Sequence, residues 1–299
     1  MRKEVFDNQP LHRKWLFFYF FFMKLIPALK SLIITVILFS SATLHAATVD
    51  TVTIYSNSMK KNIKAVVIKP DSYDQGKTSF PTVYLLHGHS GNYMNWITRV
   101  PQIKKMVDDY QSIVVTPDGA FAGWYINSPV DATMQYETFI AKEVPAYIDS
   151  KYRTIKNRNA RAITGLSMGG HGGLYLGFRH ASDFGVCGSM SGAFSLEHIT
   201  APQYGVSRLI GDTTNKERYR EHSIFKQMET YPKDSIAIII DCGREDFIFQ
   251  MSQRVHDKMV ELNIPHDYIE RPGKHDWAYW RNAIQYQLLF FRNYFDRKL

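Results

Sequence analysis

Short apolar runs that do not alternate with polar residues constrain this chain more than any other feature. Thr82–Leu86 (TVYLL), Ser112–Thr116 (SIVVT), Arg161–Thr164 (RAIT), Gly185–Ser189 (GVCGS) and Ile236–Ile240 (IAIII) are of this kind. A strand with one face in water alternates, whereas one covered on both faces reads as continuous apolar sequence. The runs therefore predict parallel strands sandwiched between helices. Stretches of helical period separate them. Tyr136–Tyr152 sets Phe139, Ile140, Val144 and Ile148 near one stripe, and Gln250–Leu262 and Trp277–Tyr294 are likewise amphipathic. Two β-branched runs, Val52–Tyr55 and Ile63–Ile68, read as opening antiparallel strands, and His266–Glu270 as a last strand. The fold class that follows is α/β, one mostly parallel, doubly wound sheet with helices on both faces, over residues 47–299. Ser195–Pro232 fits this pattern poorly, with mixed polarity and a charged Lys216–Glu221 run, and predicts a small lid inserted above the sheet.

The formal charge of +8 invites a nucleic-acid or membrane partner. It is unevenly spread. Residues 1–46 carry six of the 36 Lys and Arg residues and two of the 28 Asp and Glu residues, so the charge falls to +4 without them. From Met23 the chain has a short positive region with Lys24 and Lys30, an apolar core Leu32–Phe39 and the mostly small residues Ser40–Ala47. That is the three-part layout of a secretory signal peptide. We expect Met23 to be the true start, cleavage after Ala46 or Ala47, and a periplasmic or secreted protein. The competing expectation is an uncleaved anchor over residues 15–39, interrupted by Lys24, Pro27 and Lys30. With the leader removed, neither a nucleic-acid partner nor stable membrane association is expected.

Export bears on Cys187 and Cys242. If their strands are parallel neighbours, the two thiols stand several residues out of register. At roughly 3.3 Å per residue they are then too far apart to pair. Two free thiols are expected.

The chemistry is concentrated in RAITGLSMGGHGG, residues 161–173, where Gly165-Leu166-Ser167-Met168-Gly169 follows a strand and precedes a helix. A serine hydroxyl is a weak nucleophile unless it is held exposed beside a base. A tight strand-to-helix turn flanked by glycines provides that exposure. In such an architecture the acid and then the base follow in chain order. DCGREDF offers Asp241, Glu245 and Asp246. Asp241 belongs to the strand itself, whereas Asp246 lies in the loop beyond it. Among the histidines, His256 falls inside a helix and His266 opens a strand at the wrong end of the sheet. His275 follows the last strand, just before a helix. The predicted roles are Ser167 as nucleophile, His275 as base and Asp246 as its orienting acid. The oxyanion donors are predicted to be the backbone N–H groups of Met168 and His89, the latter after Gly88 in LLHGHSGNYMNW. His87-x-His89 has no third ligand at suitable spacing, so no metal is expected, and no organic cofactor.

In sum of motifs, VYLLHGHSGNYMNW, GWYINSP, GLSMGGHGG, IIIDCGREDF and PGKHDWAYW resemble successive blocks of the esterase D / feruloyl esterase / tributyrin esterase family of α/β-hydrolases, over roughly residues 50–295. S-formylglutathione hydrolases and mycolyltransferases share that superfamily. The resemblance implies the α/β-hydrolase fold, puts the acid on Asp246 and the base on His275, and assigns an oxyanion N–H to His89. Lys274 departs from the pattern, since a small residue is common before the histidine.

The implied activity is that of an exported serine carboxylesterase acting through an acyl-enzyme, on acetyl, short-chain or feruloyl esters of a small molecule or polysaccharide. Trp124, Tyr125 and Trp277 are candidate substrate contacts, with Tyr279 and Trp280 beside them in an aromatic platform. Two other functions are compatible with the same sequence: acyl transfer to a sugar or lipid hydroxyl by the same triad, and a non-catalytic binding protein on an esterase scaffold. The oligomeric state is not readable.

Overall fold

The structure is a computed structural model, and it describes residues 46–199, 201–231 and 236–299. The predicted signal peptide, the start at Met23 and the alternative anchor fall on residues 1–45, outside the described residues.

Eight strands form one sheet: β1 (Thr48–Ser56), β2 (Lys61–Lys69), β3 (Thr82–Leu86), β4 (Ile113–Pro117), β5 (Arg161–Gly165), β6 (Val186–Met190), β7 (Ala237–Gly243) and β8 (Asp267–Arg271). Their spatial order is β1-β2-β4-β3-β5-β6-β7-β8. β1–β2 and β2–β4 are antiparallel, and every later pair is parallel. The division follows from the sequence. Exposed and covered residues alternate along β1, whereas β3, β4 and β6 are buried at every position.

Nine helices are relevant to the site: α1 (Asn95–Arg99), α2 (Ile103–Tyr110), α3 (Val144–Lys151), α4 (Met168–Arg179), α5 (Val206–Ile210), α6 (Lys216–Arg220), α7 (Ile224–Glu229), α8 (Phe249–Glu261) and α9 (Trp277–Lys298). A three-residue turn of helix at Tyr136–Thr138 and a π-helical turn at Phe139–Glu143 lead into α3. The sheet separates two cores. On one face Trp96, Ile103, Met106 and Val107 of α1 and α2 pack with Ala283, Ile284, Leu288 and Phe291 of α9. On the other, Val144 and Ile148 of α3 and Leu174 of α4 meet Val255 and Met259 of α8. This is the doubly wound α/β arrangement that the apolar runs predict.

The short helices α1 and α2 were not among the helices expected from sequence. In α2 the buried Ile103, Met106 and Val107 stand at i, i+3 and i+4, a signal too brief to outweigh its polar neighbours. The insertion holds α5, α6 and α7. It is not a loose flap, because Val206, Leu209, Ile210, Tyr219, Ile224 and Met228 are buried in the core on the α4 side. Both cysteines are buried free thiols on neighbouring parallel strands. Cys187 is in register with Ile238, four residues before Cys242, which separates the thiols in the way the sequence predicts.

Candidate active site

The site lies at the carboxyl ends of the parallel strands, where open α/β sheets bind their ligands. Ser167 stands between the end of β5 and the first residue of α4. Its N–H donates to Met190 O at 2.9 Å, and Leu166 bridges to Met190, so the turn is fastened to β6. The Ser167 backbone has φ 55° and ψ −116°. A non-glycine residue there costs about 1–3 kcal/mol and persists only where the surroundings over-determine it. The crowding is visible at Gly169, where a Cβ would lie 2.6 Å from His87 O and 2.7 Å from Leu86 O. The chain leaving β3 thus passes directly over the start of α4.

His275 follows β8 and reaches across the strand ends. Its Nε2 is 2.9 Å from Ser167 Oγ, and its Nδ1 is 2.8 Å from Asp246 Oδ2 and 3.0 Å from Oδ1. Asp246 is buried in the loop after β7, and its Oδ1 also accepts the Ile248 N–H at 3.0 Å. A carboxylate at Nδ1 keeps the proton on that nitrogen and turns the Nε2 lone pair toward the hydroxyl. The two loops are tied together. Arg244 N–H donates to Arg271 O at 2.8 Å, Glu245 N–H to Gly273 O at 3.0 Å, and Gly273 N–H to the Glu245 carboxylate. Beneath the imidazole, Trp280 packs edge-on with ring centroids 5.0 Å apart, and its indole N–H donates to Ser191 Oγ at 3.2 Å.

Asp241 is excluded as the partner of His275. It lies within β7, fully buried, and its carboxylate is taken up by Arg271 and the Tyr279 hydroxyl. Burial raises this carboxyl above its ordinary value, against the lowering effect of Tyr279 and Arg271. His256 and His266 stand at the far end of the sheet, hydrogen-bonded to one another at 2.8 Å.

The two predicted oxyanion amides flank Ser167. Met168 opens α4, where a leading N–H has no intrahelical acceptor, and neither it nor the His89 N–H has a hydrogen-bond partner among the described residues. A Cβ on Gly88 would lie 2.5 Å from Leu166 Cδ1 and 3.5 Å from Ser167 Cβ, so glycine lets this loop come down onto the serine. His87 shapes the loop from below. Its Nδ1 meets Gly88 O at 2.8 Å, and its Nε2 accepts the Gly119 N–H at 2.8 Å. Burial pushes the imidazole below its ordinary value and favours the neutral ring that this pattern needs. With both nitrogens committed, His87 has no lone pair for a metal, and the His87-x-His89 pair is not a ligand set.

Ser167 and His275 open into a cavity of about 420 Å³, lined also by Gly88, His89, Asn95, Arg99, Tyr204, Phe247, Trp277 and Trp280. Trp277 therefore stands where a substrate contact was expected, and Trp124 and Tyr125 do not. Both are buried. The Trp124 indole N–H donates to Tyr204 O at 2.8 Å, and the Tyr125 hydroxyl to His87 O at 2.8 Å. Instead of touching a ligand they hold the insertion and the β3 loop in place, because each ring has a partner that removes it from solvent. Sequence reasoning missed Asn95, Arg99, Tyr204 and Phe247. Phe247 had a usable signal in following Asp246 directly, and its ring lies 4.6 Å from that of His275. Tyr204 had none, since the insertion carries no periodicity.

Residues 56–291 match a family model described as putative esterase. The chain belongs to that family. Membership makes this esterase a carboxylic ester hydrolase, on the α/β-hydrolase fold that its sheet displays. An acetyl esterase from Caldicellulosiruptor saccharolyticus is 28% identical over 253 residues, 77% of this chain and 92% of the relative. Among solved structures, a ferulic acid esterase superposes with a TM-score of 0.72 at 29% identity, covering 83% of the esterase and 98% of the neighbour. A substrate-bound fluorophosphonate-binding serine hydrolase of Staphylococcus aureus gives a TM-score of 0.75 at 22% identity, covering 82% and 98%, and shows the common fold.

Proposed function

We propose that the esterase is a serine hydrolase that cleaves acyl esters through a covalent acyl-enzyme, with Ser167 as nucleophile, His275 as general base and acid, and Asp246 as the residue that orients His275. The observation that carries this reading is the unbroken chain from Asp246 through His275 Nδ1 and Nε2 to Ser167 Oγ, with contacts of 2.8 and 2.9 Å. In it, Ser167 Oγ attacks the ester carbonyl while its proton passes to Nε2. The tetrahedral oxyanion is met by the N–H groups of His89 and Met168. The alcohol leaves with the proton from Nε2, and water reverses the sequence to release the acid. The tested variant is Ser167→Ala with p-nitrophenyl acetate as substrate. Wild-type turnover in a folded Ser167→Ala protein would remove the serine from the mechanism. Product analysis with a sugar present separates hydrolysis from acyl transfer, since transfer would give the acylated sugar.

Similarity to an acetyl esterase and a ferulic acid esterase supports acetyl or feruloyl as the acyl group; a sugar or polysaccharide as its carrier is our proposal, and the aromatic side chains of Phe247, Trp277 and Trp280 suit such a partner. A panel of acetyl, butyryl and feruloyl esters, with acetylated xylan, ranks these substrates.

We also propose export, with cleavage after Ala46. Ala47 is buried, and its N–H donates to Asp108 Oδ2 at 3.0 Å. A cut at Ala46 would leave the new ammonium on that carboxylate, whereas a cut one residue later would remove it. Sequencing the mature amino terminus tests this, and a chain beginning at Thr48 would refute it.

A further inference from the structure

The wall of the catalytic cavity offers hydrogen-bond donors and no carboxylate. Asn95 and Arg99 both line it. They stand at i and i+4 on α1, hence on one face of that helix, while Trp96 turns the opposite way into the core. The Asn95 carboxamide oxygen is already used, accepting the Asn92 N–H at 3.0 Å, so the group left for a ligand is the NH2. The exposed Arg99 guanidinium takes part in no ion pair or hydrogen bond among the described residues. A second cation is tied to the same end of α1. Arg281 of α9, also exposed and without an ion pair among the described residues, donates its Nε–H to the Arg99 carbonyl at 2.6 Å. The remaining lining near this wall is Trp277, packed edge-on against Trp96 at 5.4 Å. Of the acids near the site, Asp246 is buried behind His275, and the exposed Asp276, between His275 and Trp277, caps α9 by accepting the Tyr279 N–H at 2.9 Å.

The Arg99 guanidinium has no counter-ion among the described residues, and a carboxylate entering the cavity would meet it and the Asn95 NH2 with charge-assisted hydrogen bonds, while Arg281, tied to the Arg99 carbonyl, adds to the positive charge behind that wall. We propose that Arg99, aided by Asn95 and Arg281, is a specificity-determining residue that selects esters carrying a carboxylate on the acyl or the alcohol part. The proposal rests on the serine-esterase reading and adds to it a substrate class, acidic esters such as those of a uronic acid or a dicarboxylic acid. Arg99 takes no part in bond making. It binds a remote group of the substrate, and its effect belongs in kcat/KM for charged substrates only.

The test uses two matched pairs of esters, with each rate divided by that of alkaline hydrolysis to remove intrinsic reactivity. Mono-p-nitrophenyl succinate against p-nitrophenyl butyrate places the charge on the acyl side. 4-Acetoxybenzoate against methyl 4-acetoxybenzoate places it on the alcohol side. The wild type is expected to prefer the charged member of one pair by about tenfold in kcat/KM, and the pair concerned identifies the side. Arg99→Gln is expected to abolish that preference, read as the ratio of kcat/KM for the charged and neutral members, and Arg281→Gln to reduce it less. Lys151→Gln, which removes a cation from the end of α3, is expected to leave it intact. Equal use of charged and neutral esters by the wild type, or a preference that survives Arg99→Gln, would overturn the proposal. Failure of the folded wild type to cleave any of the four esters would instead sink the esterase reading, and the inference with it.

Discussion

His266 and His275 stand at opposite ends of β8, and each is a hydrogen-bonded imidazole beside a cavity. The cavity at the amino end, lined by His266, Asp267 and Arg297 among others, measures about 390 Å³ against about 420 Å³ at the catalytic end. The contacts differ in kind. His266 Nδ1 meets Ile264 O at 2.8 Å, so its Nε2 is the acceptor for His256 Nδ1, also at 2.8 Å. Both nitrogens are thus occupied by groups that stay where they are. His275 has a carboxylate on one nitrogen and a serine hydroxyl on the other, and can take a proton and return it. Volume and hydrogen bonding do not distinguish a base from a structural histidine; the partner at the second nitrogen does.

The widest break between the two ends is expected in activity. Ser167→Ala or His275→Ala should lower kcat/KM for p-nitrophenyl acetate by about 10⁴- to 10⁶-fold, and the double variant by little more, because the members act as a unit. His266→Ala should leave the same parameter within about twofold. An equal loss at His266 would end the distinction. Next in size, Asp246→Asn should cost about 10²- to 10⁴-fold while the protein stays folded. Asp241→Asn should do the reverse, retaining the rate per folded molecule but lowering the urea midpoint by an amount equivalent to about 3 kcal/mol, because it leaves Arg271 without its buried partner.

A third prediction concerns pH and a pair of imidazoles that tie the insertion to α4. His171 Nε2–H donates to His222 O at 2.8 Å, and the Tyr175 hydroxyl lies 3.1 Å from His222 Nδ1. Burial lowers both histidines to about 4, and at His171 it outweighs two carbonyls that favour the charged ring. The unfolded chain therefore binds more protons than the native one between about pH 6.5 and 4, and stability must fall as pH is lowered through that window. Above pH 6.5 the contribution is complete. Each group accounts for at most about 1.4 kcal/mol per pH unit. His222→Gln should flatten the dependence of the melting temperature on pH over this range, and an unchanged slope would dissociate His222 from it. The smallest effect is expected for His266→Gln, whose half-buried ring should shift stability by no more than about 1 kcal/mol.

The legibility of the molecule follows the same division. The parallel strands were readable because continuous apolar sequence is the direct imprint of burial on both faces, and Ser167 and Asp246 because each stands just past such a strand; His275 follows the half-covered edge strand β8, DYIER, and was marked by its place in chain order before a helix. Trp124 and Tyr125 were misplaced for a physical reason. An aromatic ring has the same sequence signature whether it faces a ligand or a buried carbonyl, and only the partners at Tyr204 O and His87 O decide. Arg99 was invisible because a five-residue helix has too few turns to display a periodicity.

The turn at Ser167 has one more consequence, which concerns the protein as a product of selection. Its φ of 55° is tolerable for glycine and costly for any other residue. Ser167→Gly should therefore give a molecule more stable than the working enzyme, by about 1 kcal/mol or more, and inert. Chemical denaturation of Ser167→Gly beside Ser167→Ala, which keeps the strain, measures the difference directly. With Ser167 as the proposed nucleophile, the most stable version of this fold is one that cannot do its work, and the present sequence is held off its own stability optimum at that residue.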